Sequence, residues 1–150
     1  MSGHTTILVA DDDQNDVFFL RRAFQKSGVN HAVIAVSDGQ QAIDYLQGEA
    51  DYGDRARYPV PVLLLLDLKM PKVDGLEVLR QLKGDETLKR IPVVMLTSSR
   101  EETDLVKSYR LGANAYVVKP VGFEQFADAI RQLGIFWAVL NEPPPDGNAV

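Results

Sequence analysis

Five consecutive apolar residues, Val62 to Leu66, run from a proline-broken polar stretch straight into Asp67. Such a run is too short for a core helix. Its lack of alternation fits a strand covered on both faces, as in the middle of a parallel sheet. Four other short runs repeat the theme. Ile7 to Ala10 ends in Asp11, Asp12 and Asp13. His31 to Val36 is rich in β-formers, Pro92 to Leu96 ends at Thr97, and Tyr116 to Val118 ends at Lys119-Pro120.

Helix patterns separate these runs. Asp13 is a candidate N-cap for the first, with Asp16 in its first turn. That helix carries Val17, Leu20, Ala23 and Phe24 on one face and stops near Ser27-Gly28. Asp38, with Gln41 three residues on, has the form of a capping box for a second helix ending at Gly48. The third pattern runs from Val73 to Leu82. The fourth opens on two overlapping boxes, Ser98-Glu101 and Ser99-Glu102, and closes at Leu111-Gly112; a fifth begins near Phe123. Residues 49–61, broken by Gly53, Pro59 and Pro61, are expected to form a surface loop. Strand and helix thus alternate five times. The pattern predicts an α/β fold, a doubly wound parallel sheet with helices on both faces and no second domain. In such sheets ligands bind outside the carboxyl ends of the strands.

Composition narrows the function. The 150 residues, 45% apolar and 25% charged, suffice for one domain with a proper core. With no cysteine there is no disulfide framework or thiol chemistry, and His4 and His31 alone do not make a structural zinc site. No run has signal-peptide or membrane-spanning character, so a cytoplasmic location without membrane contact is expected. A net charge of −5 and scattered lysines and arginines argue against nucleic acid as a partner.

The strand ends carry the chemistry. Asp11, Asp12 and Asp13 follow the first strand, Asp67 the third, Thr97 the fourth and Lys119 the fifth. Each has an ordinary explanation by itself: an aspartate caps a helix, a Lys-Pro pair sits in a loop, and a threonine follows a strand without consequence. Together they form a constellation. Crowded carboxylates repel unless a cation intervenes, and all-oxygen donors suit Mg²⁺. Lys119 supplies a point charge and Thr97 a hydroxyl donor for phosphate oxygens. Asp67 is left as a carboxylate nucleophile for phosphoryl transfer.

On these residues the chain resembles the receiver domains of bacterial response regulators. The matching stretches are Ile7 to Asp13, Leu65 to Gly75, Val94 to Ser98, and Gly112 to Tyr116 continuing to Lys119-Pro120. The resemblance covers about residues 5 to 133. It implies a flavodoxin-like receiver fold with strand order 2-1-3-4-5 and Asp67 as phosphoacceptor. It also implies that Asp12, Asp67 and the backbone carbonyl of Lys69 ligate Mg²⁺, with Asp11 acting through water. Lys119 is implied to pair with Asp67 and then with the phosphate, Thr97 and Tyr116 to form the switch, and Lys119-Pro120 to be a cis peptide. Lys69 and Ser99 occupy positions that tune dephosphorylation in the family. Lys69 departs from the asparagine often found there, which leaves the phosphate lifetime open.

The domain is expected over residues 5–134, followed at 135–150 by a C-terminal helix extension and a proline-rich arm. Beyond Gly134 the pattern is apolar all round, and Phe136 and Trp137 have the character of interface anchors. The Phe-Trp…Asn…Pro-Pro-Pro pattern, with the 49–61 loop, is similar to the single-domain response regulators that serve phytochrome histidine kinases. That similarity implies a sensor histidine kinase of phytochrome type as partner. It also implies a homodimer through an arm containing Phe136, Trp137, Asn141, Pro143, Pro144 and Pro145. The residues after 134 are too few for a DNA-binding output domain, so output is expected through protein contact.

Three rivals remain. An Asp-nucleophile phosphatase of the haloacid dehalogenase type needs a second aspartate where Lys69 stands. A flavodoxin-like flavin carrier needs a hydroxyl-rich phosphate loop where three aspartates stand. A receiver-like scaffold that works without phosphorylation would make the complete acceptor set idle. Self-phosphorylation and self-dephosphorylation are the only expected chemistry; a turnover enzyme is not.

Overall fold

A computed structural model describes residues 6–26, 32–97, 102–119 and 124, with backbone alone for Ala23, Lys26, Thr97, Glu102 and Thr103. Five strands form one parallel sheet in the order β2-β1-β3-β4-β5. They are β1 (Thr6–Ala10), β2 (Ala32–Val36), β3 (Leu63–Leu66), β4 (Val93–Thr97) and β5 (Ala115–Val118). The described helices are α1 (Gln14–Lys26), α2 (Gly39–Gln47), α3 (Gly75–Lys83) and α4 (Glu102–Arg110).

The period of two along a strand sorts the core into two layers. Leu8, Ala10, Leu64, Leu66, Val93 and Met95 face α2 and α3, where Ala42, Leu46, Val78 and Leu79 meet them. Ile7, Val9, Leu63, Leu65, Val94 and Leu96 face the other way, onto Leu20 and Phe24 of α1. All four leucines of β3 are fully buried because both faces of that strand are covered. Each contributes about 1.5–3 kcal/mol of apolar burial. An uninterrupted apolar run is therefore what this position in the sheet requires.

Element boundaries moved where backbone donors decided them. Pro92 has no N–H to give a ladder, so β4 starts one residue later; the Pro92 carbonyl accepts from the Leu64 N–H at 3.0 Å. α3 starts at Gly75, two residues after Val73, because Asp74 caps it, accepting from the Glu77 N–H at 2.9 Å. Asp38 caps α2 by accepting from the Gln41 N–H at 2.8 Å, but Gln41 Oε1 returns to the Ser37 N–H at 2.9 Å, one residue before the cap. Asp13 accepts from the Asn15 N–H at 2.8 Å at the head of α1.

Residues 49–61 are more than the polar surface loop that their composition suggests. A single 3-10 turn, Ala50–Tyr52, leads into Arg55, whose guanidinium donates to the carbonyls of Tyr45 (2.8 Å), Leu46 (2.7 Å) and Tyr58 (3.0 Å). It reaches the Leu46 carbonyl in the last turn of α2 and gives the Tyr45 carbonyl a second donor beside the Gly48 N–H. Tyr52 and Tyr58 pack on Tyr45 with ring centroids 5.1 and 5.9 Å away. The buried Tyr45 hydroxyl donates to the Pro59 carbonyl at 2.9 Å, and burial pushes its pKa up to about 12. Aromatic rings and one arginine hold the segment against α2. The expectations for His31, Ser98, Ser99, Pro120, the fifth helix from Phe123 and the arm residues Phe136, Trp137, Asn141, Pro143, Pro144 and Pro145 lie outside the described residues.

Candidate functional site

β1 and β3 are neighbours at the centre of the sheet, so the residues just past their ends arrive side by side. The Asp67 N–H continues the ladder to the Ala10 carbonyl at 2.9 Å, and the Asp11 N–H continues it to Val36 at 3.1 Å. Carboxylate oxygens of Asp11, Asp12 and Asp67 lie within 4.8 Å of one another. Asp11 and Asp67 are buried, at 4% and 6% exposure, while Asp12 opens to solvent.

Lys119 follows β5, two strands from β3, and its long side chain spans the gap. Its Nζ donates to Asp16 Oδ2 at 2.6 Å, Asp11 Oδ2 at 2.9 Å and Asp67 Oδ2 at 3.3 Å. Burial opposes the ammonium's charge, but bonds to Asp16 and Asp11 and the field of Asp11 and Asp67 outweigh it, so its pKa is raised. Burial also lifts Asp11 to about 6, against the pull of Lys119 and of the Asp13 N–H, which donates to Asp11 Oδ1 at 2.9 Å. Asp67 is raised by burial too, opposed by Lys119 and the Lys69 N–H and reinforced by Asp12.

One ammonium does not neutralise three converging carboxylates. The donor set is entirely oxygen, two members are desolvated, and the third faces solvent. Such a set fits a small hard divalent cation that retains waters on its open side. Lys69 lies two residues beyond Asp67, exposed, with its N–H 3.4 Å from Asp67 Oδ1. Thr97 ends β4 opposite Val118; its side chain lies outside the described atoms. Tyr116 pairs with Met95 across the β4–β5 ladder and packs, half-buried, against the α2–α3 layer of the core. Asp11, Asp12, Asp67 and Lys119 are thus brought to one place.

Asp16 is the residue that sequence reasoning left as a first-turn helix acid. Helical Cα–Cβ bonds tilt toward the N-terminus, so a carboxylate at the third position of α1 leans back to the sheet edge.

A family model for the response regulator receiver domain matches residues 7–131. The chain belongs to the response regulator receiver family. Rcp1 of Synechocystis sp., a response regulator, is 37% identical over 131 residues, 87% of each chain. FilR2 of Methanothrix harundinacea, a probable methanogenesis regulatory protein, is 37% identical over 138 residues, 92% of this receiver and 86% of FilR2. Among solved structures the bacteriophytochrome response regulator RtBRR superposes with a TM-score of 0.81 at 56% identity, covering 96% of this receiver and 86% of RtBRR. A solved form of Rcp1 is Mn²⁺-bound. The five-stranded order 2-1-3-4-5 is the flavodoxin-like receiver fold, and no described helix is long and apolar enough to cross a membrane.

Proposed function

We propose that this receiver takes a phosphoryl group onto Asp67 from a sensor histidine kinase in a Mg²⁺-dependent reaction and signals by protein contact. The observation that carries this is the meeting of Asp11, Asp12 and Asp67 with the Lys119 ammonium at one end of the sheet. Asp11, Asp12 and Asp67, with the Lys69 backbone carbonyl, would hold the cation, and a Mn²⁺-bound form of Rcp1 supports a divalent ion at such a site. When bound, Mg²⁺ supplies positive charge for the transferring group and relieves the repulsion among the carboxylates.

Asp67 acts as nucleophile. Its carboxylate oxygen bonds to phosphorus while the P–N bond of the kinase phosphohistidine breaks, and the electron pair stays on the departing imidazole nitrogen. Lys119 donates to the new phosphoryl oxygens, and burial of Asp67 keeps water from dispersing that attraction. Thr97 donates its hydroxyl to a phosphate oxygen, and Tyr116 follows Thr97 inward. The β4–α4–β5 face changes its population, and partners read that face. The protein is the kinase's substrate and carries no turnover chemistry beyond gaining and losing its own phosphate.

The phytochrome assignment rests on RtBRR, a bacteriophytochrome response regulator at 56% identity, against 37% for FilR2. Residues 5–134 form the receiver on this reading and 135–150 the arm. Phe136, Trp137, Asn141 and Pro143 to Pro145 join two copies, and the site of action is the cytoplasm. Acetyl phosphate with Mg²⁺ tests the acceptor. Wild type is expected to gain one phosphoryl group by mass spectrometry and Asp67→Asn none; an equal gain on the variant assigns the wrong residue. A bacteriophytochrome kinase is expected to phosphorylate the chain faster than an unrelated histidine kinase does. Deletion of Pro143–Pro145 is expected to give a monomer by light scattering at micromolar concentration, and an unchanged mass would remove the dimer.

A further inference from the structure

We propose that Asp16 is a positioning residue for phosphoryl transfer: it anchors the Lys119 ammonium from outside the cation-binding set, so that the ammonium faces the group arriving on Asp67. The proposal rests on Asp67 being the acceptor.

All three N–H bonds of the ammonium are spent, on Asp11, Asp16 and Asp67. Two of these partners, Asp11 and Asp67, belong to the carboxylate group that converges within 4.8 Å to hold a cation. Their charge is shared once a cation binds, and their hold on Lys119 weakens. Asp16 stands outside that group, and at 2.6 Å its contact with Lys119 is the shortest of the three. It is therefore the partner that persists in the loaded state.

The anchor has the right placement. Asp16 is the third residue of α1, where a carboxylate is favoured by the helix dipole and the Asp13 cap fixes the turn. Its side chain is 31% exposed and Lys119's is 14% exposed, so the contact is partly shielded from water. Lysine's four-carbon stem has many rotamers, and an ammonium with only cation-bound carboxylates near it would leave the site. Held by Asp16, it is spared that search at the moment of reaction.

The alternative is that Asp16 is merely one more negative charge, and the two readings predict opposite signs. Removing a bystander charge makes the site less repulsive to a phosphodonor and speeds the reaction. Removing an anchor slows it.

The test uses the full chain with Asp16→Asn and Asp16→Glu. Three quantities are measured: Mg²⁺ affinity by calorimetry, the phosphorylation rate with acetyl phosphate at saturating Mg²⁺, and the ¹H–¹⁵N ammonium resonance of Lys119 with and without Mg²⁺. Asp16→Asn is expected to slow phosphorylation roughly 10- to 100-fold, the scale of a misplaced catalytic group. Mg²⁺ affinity should be unchanged or tighter. The Lys119 resonance should persist with Mg²⁺ in wild type and vanish in the variant, and Asp16→Glu should recover part of both. A rate equal to or above wild type, or an Asp16→Asn resonance that survives Mg²⁺, overturns the proposal. Absence of phosphate on wild type itself would instead strike the Asp67 reading, and the resonance would still show whether Asp16 holds Lys119.

Discussion

A Cβ on Gly75 would stand 2.2 Å from the carbonyl oxygen of Asp67. The Gly75 N–H donates to the Leu68 carbonyl at 2.7 Å, so the head of α3 lies directly on the backbone that carries Asp67. Backbone cannot swing aside as a side chain can. Gly75→Ala is expected to cost about 1–3 kcal/mol, the usual range for overpacking, and to move Asp67 away from Asp11. Urea unfolding reads the first effect and Mg²⁺ calorimetry the second. An unchanged midpoint together with unchanged Mg²⁺ affinity would remove this link between α3 and the site.

Asp67→Asn should stabilise the metal-free chain. The carboxylate is buried beside Asp11 and Asp12, and its raised pKa records that its charged form is disfavoured there. Its hydrogen bonds are the longest at the site, 3.3 Å from Lys119 and 3.4 Å from Lys69, so little is lost with the charge. A gain of about 1 kcal/mol corresponds to a rise of a few degrees in Tm for a domain of this size. Mg²⁺ should narrow or reverse the gap, because only wild type offers the full carboxylate set. A lower Tm for the variant in EDTA would mean that the Asp67–Lys119 pair outweighs the repulsion.

Arg55 should be the costliest exposed-loop residue to remove. Its guanidinium joins the Tyr45 and Leu46 carbonyls at the end of α2 to the Tyr58 carbonyl of the 49–61 segment, and it lies over the Tyr45 ring at 5.9 Å. Hydrogen bonds from a charged donor contribute about 1.5–3 kcal/mol each, but they share one side chain and do not add fully. Arg55→Ala is expected to lose about 2–4 kcal/mol in denaturant unfolding. Arg55→Lys should recover less than half, since a point charge does not reach three carbonyls in a fork. Full rescue by lysine would show that charge, not geometry, matters there.

The sheet was legible because its strands are short apolar runs, uninterrupted in β1 and β3 where burial on both faces demands it. Asp11, Asp12, Asp67 and Lys119 were legible because each stands at a strand end, where the topology settles its place. Asp16 was not, because its position depends on which way a helix side chain leans, and a first-turn acid has a sufficient explanation in the helix dipole. Residues 49–61 form the surface segment that their composition predicts, but composition does not show what holds it in place. Glycines and prolines mark a loop, but they do not show that Tyr52, Arg55 and Tyr58 turn inward onto Tyr45. The Gln41 return to Ser37 in place of Asp38 is a matter of one residue, below what spacing alone resolves.

The acidic cluster makes stability depend on pH in a direction that Mg²⁺ should reverse. In the unfolded chain Asp11 titrates near its ordinary 3.8; in the metal-free fold burial lifts it to about 6, and Asp67 is raised as well. The fold therefore binds these protons more tightly than the unfolded chain does. The Asp11 contribution to stability is fully present below about pH 3.8 and is lost as pH rises through about 6, and that of Asp67 has the same sign. At pH near 7.5 Asp11 is charged in the metal-free fold, and the charged form is the one that binds a cation. Below about pH 6 a proton must first leave, so Mg²⁺ affinity should fall roughly tenfold per pH unit for each proton displaced. Thermal unfolding in EDTA and in Mg²⁺, at about pH 5 and about pH 7.5, checks both halves. Mg²⁺ should raise Tm clearly at the higher pH and little at the lower. An equal rise at both would mean that the cation binds somewhere other than Asp11, Asp12 and Asp67.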